Sequence, residues 1–191
     1  AEGIRALMRQ DPDIIMIGEV RDIETADMAI QAALTGHLVL STLHTNDAPS
    51  AITRLLDLGV PAYLLNSTIL GVMAQRLLRT LCPHCKKAVP LQTEDEAIWD
   101  ELVAPWKSKR PTQIYQSVGC LECRMTGYQG RIGIYEILQL SPEVKKLIVA
   151  GADLERIREQ ATREGMKTKK ITGKKKIAAG LTTLSEVVKV A

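Results

Sequence analysis

The stretch that decides the fold prediction is IIMIGE, residues 14–19, a short aliphatic run that ends in a glycine and a carboxylate. A continuous apolar run of this length is typical of a parallel strand that is buried on both faces. Asp22 then stands where a helix N-cap belongs, and the helical pattern behind it ends at Gly36. Residues 38–40 are again apolar and predict a second buried strand. This strand–helix–strand order predicts an α/β fold with parallel strands.

Outside this segment the sequence predicts mainly helices. Three of them lie in the first eighty residues, at 2–10, 50–58 and 64–78. Three more begin behind residues that commonly cap helices: Ser141, Asp153 and Thr183. Residues 131–135 predict one further strand.

Composition limits the classes of protein to consider. The chain has 191 residues, of which 46% are hydrophobic and 25% charged, as in globular proteins. It has two Trp, four Tyr and no Phe, so a nucleic-acid surface that stacks bases on aromatic rings is not expected. The formal charge of +3 is too small to indicate a partner. Paired cysteines without an export signal predict a cytoplasmic location.

Glu19 is the candidate catalytic residue of the deciding stretch. In parallel α/β sheets, ligands bind beyond the carboxyl ends of the strands. A carboxylate that directly follows a strand can therefore contact a bound substrate. An apolar strand that ends in an acidic residue has the form of a Walker B element, which serves Mg²⁺ and the attacking water in phosphoryl transfer. The form is atypical because Gly18 stands where an aspartate is common. The alternative is a buried strand followed by a solvated turn.

Two histidines flank the second predicted strand, His37 before it and His44 behind it. If the two strands are neighbours, Thr42 and His44 emerge at the same edge of the sheet as Glu19. There they could sense a γ-phosphate or position water, because a neutral imidazole donates one hydrogen bond and accepts another. In the alternative, His37 only begins a strand and His44 only caps a loop.

Four cysteines form two C-x-x-C pairs, Cys82 with Cys85 and Cys120 with Cys123. Two such knuckles provide the four thiolates that structural Zn²⁺ prefers in a tetrahedral site. The loop between the pairs, residues 86–119, is long, but the cost of closing a loop grows slowly with its length. Such a site would be closed and would have no catalytic role. A redox pair or free thiols are the alternatives.

Residues 167–176 carry six lysines and no acidic residue. Such a run can meet an anionic lipid surface, where each basic residue contributes about 1 kcal/mol. The alternative is a solvated and mobile surface segment, which is what a run of like charges usually forms.

Together these segments resemble the traffic ATPases of type II secretion and type IV pilus assembly. Residues 9–22 resemble their atypical Walker B segment, and residues 35–48 resemble their histidine box. The cysteine pairs, with residues 127–136 behind them, resemble their tetracysteine subdomain, and residues 180–187 resemble their C-terminal end. Pilus retraction ATPases share the first two features but generally lack the tetracysteine insertion, so the assembly and secretion branch fits better.

The resemblance implies the C-terminal portion of a RecA-like P-loop ATPase core, a tetracysteine zinc subdomain and a C-terminal helical subdomain. The expected domains are residues 1–80, 81–131 and 132–191. The implied function is that of a motor, a hexamer on the cytoplasmic side of the inner membrane that hydrolyses ATP with Mg²⁺. This motor would drive the assembly of pilin-like subunits through a membrane platform protein.

The resemblance also implies roles for single residues. Glu19 would be the Walker B carboxylate, and His37 and His44 would be the catalytic pair of the histidine box. Arg21 and Thr42 would bind the nucleotide, Arg21 in its own or a neighbouring subunit. The four cysteines would bind zinc.

One feature of the family, the phosphate-binding motif G-x-x-x-x-G-K-[ST], does not occur in the 191 residues. Gly173 and Lys174 come closest, but Thr168 stands where the first glycine must be. We therefore expect a C-terminal fragment that is inactive as an ATPase on its own. The competing hypothesis is a stand-alone zinc-containing interaction module that contacts a membrane platform protein.

Overall fold

The structure is a computed structural model, which describes residues 2–8, 10, 12–104, 106 and 108–191. Its helices in the described residues are α1 (Glu2–Met8), α2 (Ile23–Leu34), α3 (Ala48–Asp57), α4 (Ala62–Thr68), α5 (Thr93–Val103), α6 (Pro142–Leu147), α7 (Leu154–Arg163), α8 (Lys169–Ala178) and α9 (Leu184–Val190). Its strands there are β1 (Ile14–Ile17), β2 (Leu38–Ser41), β3 (Gly71–Leu81), β4 (Lys87–Pro90), β5 (Gln113–Gln116) and β6 (Tyr128–Gln139). The mixture of strands and helices confirms the α/β class.

The chain divides into two compact units. Unit 1 comprises residues 1–74 and 137–166, and unit 2 comprises residues 75–136 and 167–191. The predicted helical subdomain 132–191 therefore contributes to both units. The predicted division at residues 80 and 131 concerns functional subdomains and stays a prediction.

The predicted strand–helix–strand segment is present in unit 1. Strands β1 and β2 are parallel neighbours, with Ile14 opposite Leu38 and Ile17 opposite Ser41. In the segment of chain that connects the two strands, the Asp22 carboxylate accepts a hydrogen bond from the Thr25 amide at 2.7 Å and caps α2. The helix ends just before Gly36, whose φ of 100° favours glycine.

The prediction that both strands are buried on both faces is wrong. Along β1, Ile15 and Ile17 are buried, whereas Ile14 and Met16 are 58% and 75% exposed. Their register partners Leu38 and Leu40 on β2 are also exposed. Successive side chains of a strand point to opposite faces, so one face packs on α2 and the other is uncovered by the described residues.

The helix predicted over residues 64–78 is wrong beyond its first turns, because α4 ends at Thr68 and β3 begins at Gly71. Met73 and Leu77 favour helices by intrinsic propensity. Pairing with β6 overrides that preference, and the strand buries Ala74 and Leu78 on its inner face. The partner strand is distant in sequence, so local propensity could not indicate it.

The rest of unit 1 packs around one aliphatic core. Ile52 of α3, Leu65 of α4, Val144 of α6 and Ile157 of α7 are all buried in it. The N-caps predicted for α6 and α7 are confirmed, since the Ser141 hydroxyl and the Asp153 carboxylate accept hydrogen bonds from amides of the first turns. The Arg158 guanidinium on α7 also bonds to the Asp47 carboxylate, which caps α3.

Unit 2 has its own core, formed by α5, α8, α9 and the adjoining parts of β3 and β6. Trp99, Leu78 and Ile134 are buried in it. Strands β4 and β5 form an antiparallel pair with Ala88 opposite Tyr115. The cap predicted for α9 is confirmed, because Thr183 Oγ1 accepts a hydrogen bond from the Glu186 amide.

The lysine run forms helix α8, and one stripe of it is buried. Lys169, Gly173 and Ile177, spaced by four residues, are all buried. A Cβ at Gly173 would lie 2.5 Å from Val187 Cγ1, so this glycine allows the close approach of α8 and α9. The predicted alternative of a solvated segment is therefore wrong for this stripe. Among the described residues, no helix is long and apolar enough to cross a membrane.

Candidate functional site

A group of four side chains, termed the carboxylate site, lies where β1 and β2 end. It consists of Glu19, Thr42 and His44, which the sequence predicted to lie at one edge of the sheet, and of Arg21, to which the resemblance assigned nucleotide binding. Because Ile17 is opposite Ser41 in the parallel register, the two loops that follow begin side by side. The structure therefore brings these four predicted residues to one edge of the sheet, at the carboxyl ends of the strands.

Hydrogen bonds between the two loops fix their relative position. The Thr42 hydroxyl donates to the Gly18 carbonyl at 2.6 Å. The Val20 amide donates to the Thr42 carbonyl at 3.0 Å. Thr42 therefore lies at the predicted edge of the sheet, where its hydroxyl links the two loops by donating to the Gly18 carbonyl oxygen.

The Glu19 carboxylate interacts with one basic side chain at each oxygen. Arg21 Nε donates to Oε2 at 2.6 Å, and His44 Nε2 lies 2.7 Å from Oε1. The hydrogen bond from Arg21, followed by the positive charge of Arg21 and the neighbouring His44, holds the pKa of Glu19 below its usual value, although desolvation acts in the opposite direction. Glu19 is therefore ionised at neutral pH.

Exposure within the carboxylate site is uneven. The side chain of Glu19 is 18% exposed, whereas those of Arg21 and His44 are 76% and 86% exposed. An ionised carboxylate beneath two accessible donors can orient water or accept a proton, and the donors can contact an anion that arrives from solvent.

His37 does not belong to this group. It precedes β2 at the opposite end of the strand, where its Nδ1 lies 2.9 Å from the Ala32 carbonyl oxygen and 3.1 Å from Thr35 Oγ1. Both partners belong to the C-terminal end of α2 or follow it directly. The catalytic role predicted for His37 stays a prediction, and this position does not support it.

The second candidate site, termed the thiol cluster, consists of Cys82, Cys85, Cys120 and Cys123 in unit 2. Their four sulfur atoms all lie within 4.8 Å of one another. The sulfurs of Cys82 and Cys120 are 3.9 Å apart, as are those of Cys85 and Cys123, and Cys120 and Cys123 are 3.8 Å apart. A tetrahedral zinc ion with Zn–S bonds of about 2.3 Å places its sulfurs about 3.8 Å apart. The four thiols therefore fit a tetrahedral metal ion.

Backbone amides surround the thiol cluster. The Gly119 amide donates to Cys85 Sγ at 3.3 Å, and the amides of Cys120 and Gly127 donate to Cys123 Sγ at 3.2 Å. Desolvation opposes ionisation of Cys123, but these two amides outweigh it and lower the pKa of its thiol to about 6. At Cys123 these donors thus favour the thiolate form, which is the form that metals bind.

These amide donors were not predicted from the sequence. At Gly127, φ is 75° and an added Cβ would lie 2.6 Å from Ser117 Cβ, so the chain turns here in a way that needs glycine. The available signal was the position of the two glycines, one directly before Cys120 and one four residues after Cys123.

Comparison with protein families matches residues 1–189 to the model described as type II/IV secretion system protein. The type IV pilus assembly ATPase TfpB of Acinetobacter baylyi is 56% identical over 190 residues, which are 100% of this chain and 32% of that protein. The type II secretion system ATPase E of Vibrio cholerae is 45% identical over 190 residues, 100% of this chain and 37% of that protein. The chain thus spans about a third of the length of these relatives.

Solved structures agree with the fold. The pilus retraction motor PilT with bound ADP matches with a TM-score of 0.64 and 26% identity, over 99% of this chain and 42% of that one. The ATPase DotB of Legionella pneumophila matches with a TM-score of 0.61 and 23% identity, over 98% of this chain and 40% of that one. Both similarities support an α/β ATPase fold.

Proposed function

The chain belongs to the family of type II/IV secretion system proteins, and we propose that it carries the hydrolytic half of a RecA-like nucleotide site in a secretion or pilus-assembly ATPase. The observation that carries this proposal is the ionised Glu19 carboxylate, which contacts Arg21 and His44 at the carboxyl ends of neighbouring parallel strands. The names of the curated relatives support nucleotide hydrolysis by the whole protein.

In this proposal each residue of the carboxylate site has a distinct task. Glu19 orients the attacking water and accepts its proton, because its carboxylate is ionised and only partly exposed. Arg21, which is highly exposed, turns from Glu19 to the phosphates of ATP. Thr42 and His44 hold the second loop against the first, so that His44 remains next to the carboxylate.

Mg²⁺ would be served by oxygen ligands at the same edge of the sheet. Carboxylate and hydroxyl oxygens are the protein ligands that this hard cation prefers, and Glu19 and Thr42 supply one of each. When bound, the ion would neutralise charge on the phosphate oxygens. Residues outside this chain would complete the phosphate cradle, since the chain has no P-loop motif.

The thiol cluster would hold a structural zinc ion through Cys82, Cys85, Cys120 and Cys123. The sulfur separations of 3.8 and 3.9 Å and the amide donors support this assignment over free thiols. Because all four ligands come from the protein, the ion has no open position for a substrate.

At the level of the whole protein, we propose a hexameric motor on the cytoplasmic side of the inner membrane, acting with a platform protein on pilin-like subunits. The 191 residues alone would be inactive. The alternative, a zinc-containing interaction module without nucleotide chemistry, draws its support from the thiol cluster only.

The proposal is tested by ATP hydrolysis in the longest protein that contains this chain. Glu19→Gln keeps the size of the side chain but removes the charge, so kcat should fall by roughly 10²- to 10⁴-fold. ATP binding should be retained. The matched control is Glu24→Gln, an exposed residue of α2 with the same chemical change, which should leave kcat unchanged.

Equal kcat values for Glu19→Gln and the unmodified protein would contradict the proposed role. The interaction module predicts a different pattern, in which neither substitution matters and no ATP is hydrolysed. Measurable turnover by the 191-residue chain alone would contradict the proposed division of the site.

A further inference from the structure

An ion pair in unit 1 joins the end of the loop that carries His44 to helix α7. The Arg158 guanidinium nitrogen Nη2 donates to Asp47 Oδ2 at 3.1 Å. The two side chains are 29% and 17% exposed, so most of the pair is shielded from solvent. Because the two residues lie 111 positions apart in the sequence, the pair joins distant parts of the chain. Neither residue belongs to the carboxylate site.

Residues 42–47, termed the histidine loop, connect β2 to α3 and are held at both ends. At the start of the loop, the Thr42 hydroxyl donates to the Gly18 carbonyl at 2.6 Å. At its end, Asp47 Oδ1 caps α3 by accepting hydrogen bonds from the amide and the hydroxyl of Ser50, at 2.9 and 2.7 Å. Asp47 therefore uses one oxygen for the helix cap and the other for the ion pair.

His44 lies between these two anchors and has little packing of its own. Its side chain is 86% exposed, yet its Nε2 lies 2.7 Å from Glu19 Oε1. Thr45 Oγ1 donates to the Asp47 carbonyl at 3.1 Å, which connects the residue after His44 to the second anchor. A shift of about 1 Å in this loop would lengthen the contact with Glu19 beyond hydrogen-bond distance. The position of the loop therefore decides whether His44 contacts Glu19.

Helix α7 provides a firm support for the second anchor. Ile157 and Ala161 are buried in the aliphatic core of unit 1, which fixes the helix there. Arg158 follows Ile157 directly, and its Nε lies 3.4 Å from Glu155 Oε1, about one turn earlier on the helix. The histidine loop is thus attached to a helix that cannot shift without disturbing a close-packed core.

We propose that Asp47 and Arg158 are positioning residues, which hold the histidine loop against α7 and thereby keep His44 in contact with Glu19. This role rests on the proposed function, in which Glu19 orients the attacking water and His44 remains beside it. Without the ion pair, the loop keeps its helix cap but loses its attachment to α7. Hydrolysis then slows, whereas ATP still binds, because the phosphate contacts proposed for Arg21 are unaffected.

A purely stabilising role is the competing explanation for the ion pair. In that case the pair would raise the free energy of unfolding of unit 1 and would not determine where His44 lies. Loss of stability does not separate the two explanations, because breaking a partly buried ion pair costs stability in both. The test therefore observes His44 itself.

Nitrogen-15 NMR of the imidazole rings observes His44 directly in the zinc-loaded 191-residue chain. The chain has three histidines, so His37 and His84 serve as internal references. Arg158→Gln should move the His44 resonances towards their position in Glu19→Ala, which removes the contact outright. The resonances of the other two histidines should stay in place.

Asp47→Asn should move the His44 resonances in the same direction, because asparagine preserves a helix cap but not an ion pair. The matched controls lie at α7. Asp153→Asn makes the same change in the residue that caps this helix, and Arg163→Gln removes an exposed guanidinium from it. Both controls should leave all three histidines unchanged. Unmoved His44 resonances in Arg158→Gln and Asp47→Asn overturn the proposal.

ATP hydrolysis by the longest protein that contains this chain tests the consequence for the reaction. Arg158→Gln should lower kcat roughly 10- to 100-fold, because a displacement of about 1 Å near the reacting atoms has an effect of this size. KM should stay within about twofold. Arg158→Lys retains the cation and should recover most of the lost kcat. In a His44→Ala background, Arg158→Gln should cause no further loss, because both changes remove the same contact.

Three kinetic outcomes overturn the proposal: a raised KM at unchanged kcat, a further loss in the His44→Ala background, or equal kcat values for Arg158→Lys and Arg158→Gln. The NMR result does not depend on hydrolysis, so the two proposals fail separately. Equal kcat values for Glu19→Gln and the unmodified protein contradict the hydrolytic role, whereas unmoved His44 resonances contradict the positioning role alone. Thermal melting verifies that the variants are folded, and Asp47→Asn carries the same measurements if Arg158→Gln does not fold.

Discussion

Unit 1 and unit 2 are stabilised in different ways, and the difference explains how each positions its functional groups. Unit 1 has a continuous aliphatic core, and its carboxylate site follows from the parallel register of β1 and β2. Unit 2 has a smaller core with a tryptophan in it, and adds the thiol cluster and the ion pair between Arg79 and Glu186. Regular secondary structure thus places the chemistry of unit 1, whereas unit 2 adds an ion pair and four clustered thiols that could hold a metal ion.

The largest expected effect is on unit 2. Cys120→Ser removes one of the four proposed zinc ligands, and structural zinc contributes about 10–16 kcal/mol in small fingers, so we expect a loss of at least about 5 kcal/mol. The loss is measured by urea unfolding, followed separately in each unit, together with the zinc content of the variant. Unit 1 of the same variant is the control and should unfold as before. Full zinc content and unchanged stability in the variant would show that the cluster does not hold unit 2.

The second effect belongs to unit 1. Ile52 is fully buried in the aliphatic core, so Ile52→Ala should lower the free energy of unfolding by about 4 kcal/mol through the lost burial and the cavity left behind. Ile14→Ala, on the exposed face of β1, should cost less than about 1 kcal/mol. Urea unfolding compares the two. Similar losses would mean that the outer face of the sheet is also covered in solution.

The third effect concerns the ion pair in unit 2. Glu186 is buried, and its carboxylate accepts two hydrogen bonds from the Arg79 guanidinium at 2.7 and 3.0 Å. Arg79→Ala leaves a buried carboxylate without this cation and should cost about 3 kcal/mol. Arg76→Ala on the same strand should cost less than about 1 kcal/mol. Equal losses for the two substitutions would mean that the ion pair between Arg79 and Glu186 does not contribute specifically to the stability of unit 2.

The smallest effect is a dependence on pH that each unit shows through its own carboxylate. The hydrogen bonds from Arg79 lower the pKa of Glu186. At Asp47 desolvation opposes ionisation, but hydrogen bonds from Ser50 and Arg158 outweigh it and lower the pKa. Both folded-state pKa values lie below the unfolded ones, so this stability is complete above about pH 4.5 and is lost as pH falls through the folded-state values.

Urea midpoints at neutral pH and at about pH 3 measure this dependence in each unit. Glu186→Gln should reduce the acid sensitivity of unit 2 alone, and Asp47→Asn should reduce that of unit 1 alone. Acid also protonates thiolates, so the comparison is made between variant and unmodified chain at equal zinc content. Acid sensitivity that neither substitution changes would contradict the assignment.

Features that depend on neighbouring residues were predictable from the sequence. The caps at Asp22, Ser141 and Thr183 involve hydrogen bonds across three residues, and the structure confirms each of them. The strand–helix–strand order likewise follows from local hydrophobic periodicity. The joint position of Glu19 and His44 followed from that order, because neighbouring parallel strands end at the same edge of the sheet.

Features that depend on distant residues were not predictable in the same way. The sequence predicts a helix where β3 lies, because the pairing of β3 with β6 lies outside any local window. Glu186 stands in a capping-box pattern, yet its carboxylate bonds to Arg79, which is 107 residues away in sequence. The burial of Lys169 within a lysine run depends on the packing of α8, which charge patterning does not indicate.

The difference between the units is tested most directly by hydrogen–deuterium exchange of the intact chain, before and after zinc is removed with a chelator. We expect faster exchange throughout residues 75–136 and 167–191, and unchanged exchange in residues 1–74 and 137–166. Unchanged exchange near Cys82 and Cys120 after removal of the metal, or an equal increase in both units, would contradict it.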